Sequence, residues 1–231
     1  MFLLDFLFPK RCVGCRKIGD FLCSDCFSRI EYTNTYSCPE CLRPSLNGLT
    51  HPACIKKYGL DGVFPAVTYK GIVKKLLYQF KYSPYLSSLS ELLGDVMYEG
   101  IIQNESFNNI LASKPVIVTV PLSAKRQRQR GYNHAELLGK DLGFKLGLKV
   151  ENILIRKIDT KPQYKLKKAE RVKNIKGAFS MSHNIKLNLK NKTIILVDDI
   201  ATTYATLKEC AKVLKHAGAG KVYGVVFAKE A

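Results

Sequence analysis

The chain has 231 residues, with 37 Lys and Arg against 19 Asp and Glu, a net charge of +18 at neutral pH. That length accommodates one medium domain and a small one, and 46% hydrophobic residues are enough to bury a core. No apolar stretch approaches the roughly 18 to 20 residues of a membrane-spanning helix, and the cationic excess favours a polyanionic partner, nucleic acid or an acidic membrane surface.

The opening MFLLDFLFPKRC (1–12) is apolar, but it has no basic start, Asp5 interrupts it, and no small-residue cleavage site follows. It reads as a short helix docked on the body, and the protein is expected in the cytoplasm. Cysteines there are thiols or metal ligands rather than disulfides. Seven of the eight cysteines precede residue 55, and only Cys210 lies beyond, on one face of a helical pattern where it reads as core.

The spacing is Cys12-x2-Cys15, Cys23-x2-Cys26, Cys38-x2-Cys41 and His51-x2-Cys54. Each knuckle offers two ligands to one ion, and tetrahedral Zn²⁺ takes two knuckles, so eight ligands suit two structural ions. Two pairings are open. Sequential pairing joins 12/15/23/26 and 38/41/51/54; interleaved pairing joins 12/15/38/41 and 23/26/51/54. So small and polar a segment needs metal to fold. The chain thus divides into a zinc-binding module over 1–58 and an α/β domain over 59–231.

From residue 60 onward, strand and helix patterns alternate. VFPAVTYKG (63–71) reads as strand and turn, and Val73, Leu76, Leu77 and Phe80 then mark a helix face. A second helix is expected over 86–102, a polar loop over QNESFNN (103–109), and a buried strand in PVIVTVPLS (115–123). Ala135, Leu138, Leu142 and Leu146 repeat at helical spacing within 133–146, whereas Lys-rich 156–176 lacks apolar period and reads as loop or exposed surface. TIILV (193–197) is a buried strand; a helix carrying Leu207, Cys210, Ala211 and Leu214 follows; VYGVVFA (222–228) is the last strand. Strands alternating with helices imply a parallel sheet covered on both faces.

One stretch carries chemistry. The strand at 193–197 ends in Asp198 and Asp199, and the loop 200–206 leads into a helix. In an open α/β sheet, ligands bind beyond the carboxyl ends of strands. A helix N-terminus favours phosphate, Thr202, Thr203 and Thr206 add hydroxyls, and two carboxylates suit the two hydroxyls of a ribose. The pattern describes a ribose 5-phosphate site; an acid pair that only caps the helix is the plainer reading. Two basic runs accompany it. KRQRQRGYNH (125–134) carries Lys125, Arg126, Arg128 and Arg130, and 156–176 carries nine Lys and Arg, Arg171 among them. Such cations neutralise phosphates, and Tyr132 and Tyr164 within the runs suit stacking on unpaired bases.

ILVDDIATTYAT (195–206) resembles the phosphoribosyl-pyrophosphate signature of type I phosphoribosyltransferases, and the chain as a whole resembles the ComF family. The matching features are the CxxC pairs, VTVPLS (118–123), RGYNHA (130–135), QYKL (163–166) with RVKNIKGAF (171–179), the acidic-pair loop and HAGAGKV (216–222), in that order along nearly the full length. The resemblance implies a phosphoribosyltransferase-like fold, binding of phosphoribosyl pyrophosphate with Mg²⁺, and handling of single-stranded DNA alongside an uptake machinery in natural transformation. It implies ribose hydroxyls on Asp198 and Asp199 and the 5′-phosphate on Ala201, Thr202, Thr203, Tyr204, Ala205 and Thr206. Pyrophosphate and Mg²⁺ would lie at Pro121, Leu122 and Ser123, and nucleic acid or pyrophosphate at Lys125, Arg126, Arg128, Arg130, Tyr132 and Arg171. An active phosphoribosyltransferase acting on a nitrogenous acceptor, and a non-catalytic nucleic-acid binder with a vestigial pocket, are the alternatives. No catalytic base is identifiable.

Two positions depart from the family pattern. Tyr204 stands where the family has Gly, so either the loop changes shape or Tyr204 takes negative φ and turns its ring outward, where it would stack on a base. His134 stands where the family usually has Gln.

Overall fold

A computed structural model describes residues 9–82, 89–160, 168–182 and 187–230. The expected helix within 1–8, the QYKL segment, Tyr164 and the start of the 86–102 helix lie outside the described residues. In chain order the elements are helix α1 (Ser24–Phe27), strand β1 (Gly62–Thr68), helices α2 (Gly71–Tyr82), α3 (Leu89–Ile102) and α4 (Glu105–Leu111), and strand β2 (Val116–Thr119). There follow α5 (Ala124–Arg130), α6 (His134–Leu146), β3 (Val150–Glu151), β4 (Leu154–Arg156), α7 (Lys168–Ile175), β5 (Phe179–Met181), β6 (Thr193–Ala201), α8 (Ala205–His216) and β7 (Lys221–Lys229). Among the described residues, no helix is long and apolar enough to cross a membrane.

Five strands form a wholly parallel sheet in the order β1-β7-β6-β2-β3. Its central strands are apolar at nearly every position because both faces are covered, and the pleat sends successive side chains to opposite layers. Ile195 and Val197 of β6, with Val225 and Phe227 of β7, join Leu93, Met97 and Leu138 of α3 and α6 on one face. Ile194 and Leu196, with Val222 and Val226, join Leu207, Cys210, Ala211 and Leu214 of α8 on the other. The expected α/β architecture, a parallel sheet between helices with a small Cys-rich unit beside it, is therefore the observed one. Helix α3 lies close on β1: a Cβ placed on Gly100 would sit 2.7 Å from the Ala66 carbonyl oxygen.

The Cys-rich segment covers the free edge of β1, which would otherwise present unpaired backbone groups. The Thr33 N–H donates to the Ala66 carbonyl, the Thr68 N–H to the Glu31 carbonyl and the Thr50 N–H to the Asp61 carbonyl. Cys12, Leu22, Cys26 and Ile30 join the α2/α3 side of the core.

Three expectations change. The supposed polar loop 103–109 holds α4, because the Asn104 side chain accepts the Phe107 N–H as an N-cap and Phe107 and Ile110 bury one face. Within 156–176, a helix (α7) occupies 168–175, anchored by buried Ile175. The strand ending in the acid pair does not stop at 197 but continues to Ala201, still paired with β7.

That last difference shapes the molecule. Pairing of β6 with β2 ends at Thr119 opposite Val197, so the end of β6 runs on beyond β2 while still paired with β7. The chain leaves β2 through α5 and α6 on one face and leaves β6 through α8 on the other. A crevice therefore opens between β2 and β6, the switch point of the sheet, where open α/β folds bind ligands.

Candidate functional site

The crevice is a cleft of about 800 Å³. One wall is the end of β6 and the turn after it. Asp198, Asp199, Ile200, Thr202 and Thr206 line it, while Ala201, Thr203, Tyr204 and Ala205 are buried behind. Adjacent residues on a strand face opposite ways, so the two acids meet different partners. Asp199 Oδ2 pairs with Lys81 Nζ at 2.7 Å, from the last turn of α2. The Asp199 N–H donates to Asp198 Oδ1 at 2.8 Å. Burial raises the Asp199 carboxyl, but Lys81 outweighs it and the group stays below the ordinary carboxylate range. Burial, then the neighbouring Asp199, pushes Asp198 up to about 7. One acid is thus firmly ionised and the other holds its charge less readily, as expected of two close carboxylates sharing one site.

The facing wall is basic. Pro121 and Leu122 line it, and Ser123 caps α5 by accepting the Arg126 N–H. Ser123 Oγ donates to Asp159 Oδ1 at 2.6 Å, a bond that lowers the Asp159 pKa. Arg126, Arg130, Arg156 and Arg171 reach the cleft. Arg126 donates to the Thr160 carbonyl at 2.8 Å; Arg156 donates to Thr160 Oγ1 and lies over the Phe179 ring; Arg171 pairs with Glu230 at 3.7 Å. Burial lowers the Arg156 pKa, which marks a guanidinium held out of bulk water and therefore a strong partner for an anion. Lys125 and Arg128 are exposed on the outer side of α5 rather than lining the cleft.

The floor comes from α6 and the last turns of α2. His134 Nε2–H and the Tyr132 hydroxyl both donate to the Phe80 carbonyl, at 3.0 and 2.6 Å. Burial holds the His134 pKa down to about 4, so its ring is neutral. Tyr132 is tied down by that bond and by packing against Phe80 and His134. Among the described residues, Tyr78 and Tyr82 are exposed aromatics near the mouth, with the Arg130 guanidinium 5.2 Å above the Tyr82 ring.

Tyr204 contradicts the expected outward ring and negative φ. It adopts φ +56° and ψ +12°, the left-handed conformation that Gly takes at no steric cost. The ring points inward, 2% exposed. Its hydroxyl lies 3.2 Å from Ser37 Oγ.

The Cys-rich segment forms two ligand clusters, Cys12/Cys15/Cys23/Cys26 and Cys38/Cys41/His51/Cys54, each with all donor atoms within 4.8 Å of one another. Sequential pairing is therefore the observed one. Four thiols in one cluster, and three thiols with an imidazole in the other, fit tetrahedral Zn²⁺ with no open position. His51 Nε2–H donates to the Pro44 carbonyl at 2.9 Å, which leaves Nδ1 for the metal, the usual outer bond of a zinc-bound imidazole.

Comparison with known proteins agrees with this anatomy. Residues 3–55 match the double zinc ribbon domain family. Over 91% of its length the chain is 28% identical to competence protein F of Haemophilus influenzae, spanning 86% of that protein. It is 28% identical to the DNA utilization protein YhgH of Escherichia coli, over 93% of this chain and 94% of the other. It is 27% identical to competence protein ComFC of Bacillus subtilis, over 87% and 81%. Over nearly its full length the chain is similar to the competence proteins F and ComFC. As in the resemblance drawn from its motifs, the zinc ribbons and the α/β body run in one chain.

Of the residues singled out from sequence, the cleft gathers Asp198, Asp199, Thr202, Thr206, Pro121, Leu122, Arg126, Arg130 and Arg171. Lys81, Arg156 and Glu230 also line it and were not singled out as site residues. Lys81 and Glu230 carry no local motif; Arg156 was submerged in a run read as surface.

Proposed function

We propose that this ComF relative binds phosphoribosyl pyrophosphate with Mg²⁺ in the cleft, and that it does so as a cytoplasmic DNA-handling protein whose partner is single-stranded DNA. The observation that carries the reading is the pairing of walls. An acid pair and the N-terminus of α8 share the switch-point crevice of a parallel sheet with four arginines. A ligand that satisfies both walls has hydroxyls at one part and dense negative charge at another.

On this reading, Asp198 and Asp199 accept hydrogen bonds from the ribose hydroxyls, with Lys81 fixing Asp199. Thr202, Thr206 and the first turn of α8 receive the 5′-phosphate. Arg126, Arg130, Arg156 and Arg171 meet the pyrophosphate, and Mg²⁺, bound largely through phosphate oxygens and water, neutralises the rest. Cations already fixed around a pyrophosphate also stabilise it as a leaving group. The vestigial-pocket alternative rests on Tyr204, and its left-handed backbone supports a turn that still offers the α8 N-terminus to the cleft. Single-stranded DNA would approach over Tyr78, Tyr82 and Arg130, which combine exposed rings with a cation at the mouth.

The test is a calorimetric titration of phosphoribosyl pyrophosphate with Mg²⁺ into wild type and into Asp198→Ala/Asp199→Ala. Binding by wild type, and its loss in a still-folded double variant, is the expected result. Equal affinity in both would refute the site. Fluorescence anisotropy of labelled single-stranded DNA with and without the sugar phosphate then tests coupling, and pyrophosphate release with added acceptors tests turnover.

A further inference from the structure

We infer that the second zinc ribbon positions the sugar-phosphate turn through Tyr204, so that the metal cluster 38/41/51/54 is a support of the binding site as well as of its own fold. The inference rests on reading 202–206 as the phosphate turn. Ser37 directly precedes the ligand Cys38 and is buried. Its hydroxyl meets the Tyr204 hydroxyl at 3.2 Å and accepts from Lys229 Nζ at 2.9 Å. Lys229 Nζ also lies 5.9 Å from the Tyr204 ring centre.

A second link runs in parallel. Glu40, inside the Cys38–Cys41 knuckle and 8% exposed at its side chain, reaches Lys208 Nζ of the first turn of α8 at 3.7 Å. The same knuckle therefore touches both the turn and the helix whose N-terminus would receive the phosphate. Among the described residues no such contact joins the first cluster to the turn; its Cys12 and Cys26 pack on the α2/α3 side of the core.

Tyr204 needs this support because φ +56° is unfavourable for a residue with a side chain. A Gly there would hold the turn without help. In this chain a tyrosine holds it from outside, with its ring buried and its hydroxyl on the ribbon. Release of the ribbon would leave the strained conformation uncompensated and let the turn relax away from the phosphate-binding shape.

The decisive readout is amide hydrogen exchange at 202–206 in the ligand-free, zinc-loaded protein, which does not depend on what the cleft binds. Ser37→Ala and Tyr204→Phe are expected to raise exchange there about fivefold, the effect of one lost hydrogen bond. Cys54→Ser, which opens the second cluster, is expected to raise it further, and Cys15→Ser, which opens the first, is not. Unchanged exchange in Ser37→Ala and Tyr204→Phe would overturn the inference, as would equal effects of the two cysteine variants. Titration of phosphoribosyl pyrophosphate with Mg²⁺ adds a second discriminator. Ser37→Ala should weaken binding about fivefold in the Tyr204 protein and leave it unchanged in a Tyr204→Gly background, because glycine no longer needs the ribbon. Equal weakening in both backgrounds would assign Ser37 a general structural role and overturn the link. If wild type fails to bind the sugar phosphate at all, the reading of the cleft falls, and the exchange data still decide the link.

Discussion

Asp198 should cost the ligand-free protein stability, and Asp198→Asn should return it. The side chain sits at the end of a buried strand beside a second acid, and its pKa is pushed from an ordinary 3.8 to about 7. A raised folded-state pKa means that the native protein holds this proton more tightly than the unfolded chain does. Stability is therefore unaffected below about pH 4, falls between pH 4 and 7, and stays reduced above pH 7. Three pKa units correspond to about 4 kcal/mol. The two acids titrate as a pair and the cleft admits water, so about 1–2 kcal/mol is the expected gain at pH 8. Asparagine still accepts the Asp199 N–H through its amide oxygen, so geometry is kept. For a domain of this size the gain is about 3–6 °C in Tm. Thermal unfolding followed by circular dichroism from pH 4.5 to 8, with zinc loaded and no ligand, checks it: the advantage of Asp198→Asn should be smallest at pH 4.5 and grow up to about pH 7. The same variant should bind phosphoribosyl pyrophosphate at least tenfold more weakly, since a charged acceptor for a ribose hydroxyl is lost. A variant with equal or lower Tm at pH 8, or with a gain independent of pH, would refute the reasoning.

Metal analysis should find two zinc ions per chain, with Cys15→Ser and Cys54→Ser each removing one; a value below one for wild type would contradict the ribbon assignment. Gly100→Ala should lower stability by about 2–3 kcal/mol in denaturant unfolding, because the added methyl meets the backbone and Cβ of Ala66 at 2.7–2.9 Å and neither element can yield. If single-stranded DNA crosses the mouth of the cleft, Arg126→Ala/Arg130→Ala should reduce the slope of log affinity against log salt by about 1.4; an unchanged slope would place the DNA elsewhere.

The zinc ribbons and the central strands were legible because each rests on local pattern. Ligand spacing is fixed by the geometry of a knuckle, and a strand buried on both faces must be apolar throughout, as TIILV is. Helix α4 escaped because its signal is only a cap at Asn104 and two buried residues, Phe107 and Ile110, in a polar run. Helix α7 escaped because Ile175, its buried anchor among the described residues, is flanked by lysines in the sequence. In the site, the acid pair was readable because both carboxylates are adjacent in the chain. Its counter-charge was not. Lys81 reaches Asp199 only because α2 packs across the sheet and ends at the crevice, and nothing in the α2 sequence separates Lys81 from Lys74 or Lys75.

Tyr204 was legible as an anomaly but not in its solution. Taken alone, a tyrosine where the pattern has Gly argues for a distorted turn, since the left-handed conformation costs about 1–2 kcal/mol. The tertiary structure supplies the other side. Burying the ring contributes about 2 kcal/mol, and the bond to Ser37 about 1 kcal/mol. The sum, about 3 kcal/mol, exceeds the strain by about 1–2 kcal/mol, and about a third of it comes from the ribbon's hydroxyl. A turn that glycine would hold unconditionally is thereby made conditional on a docked ribbon. Local rules are broken in folded proteins where a distant contact compensates, and here that contact comes from the residue next to a metal ligand. If the cleft holds a sugar phosphate as proposed, the tyrosine is a change in what holds the turn together rather than the loss of the site.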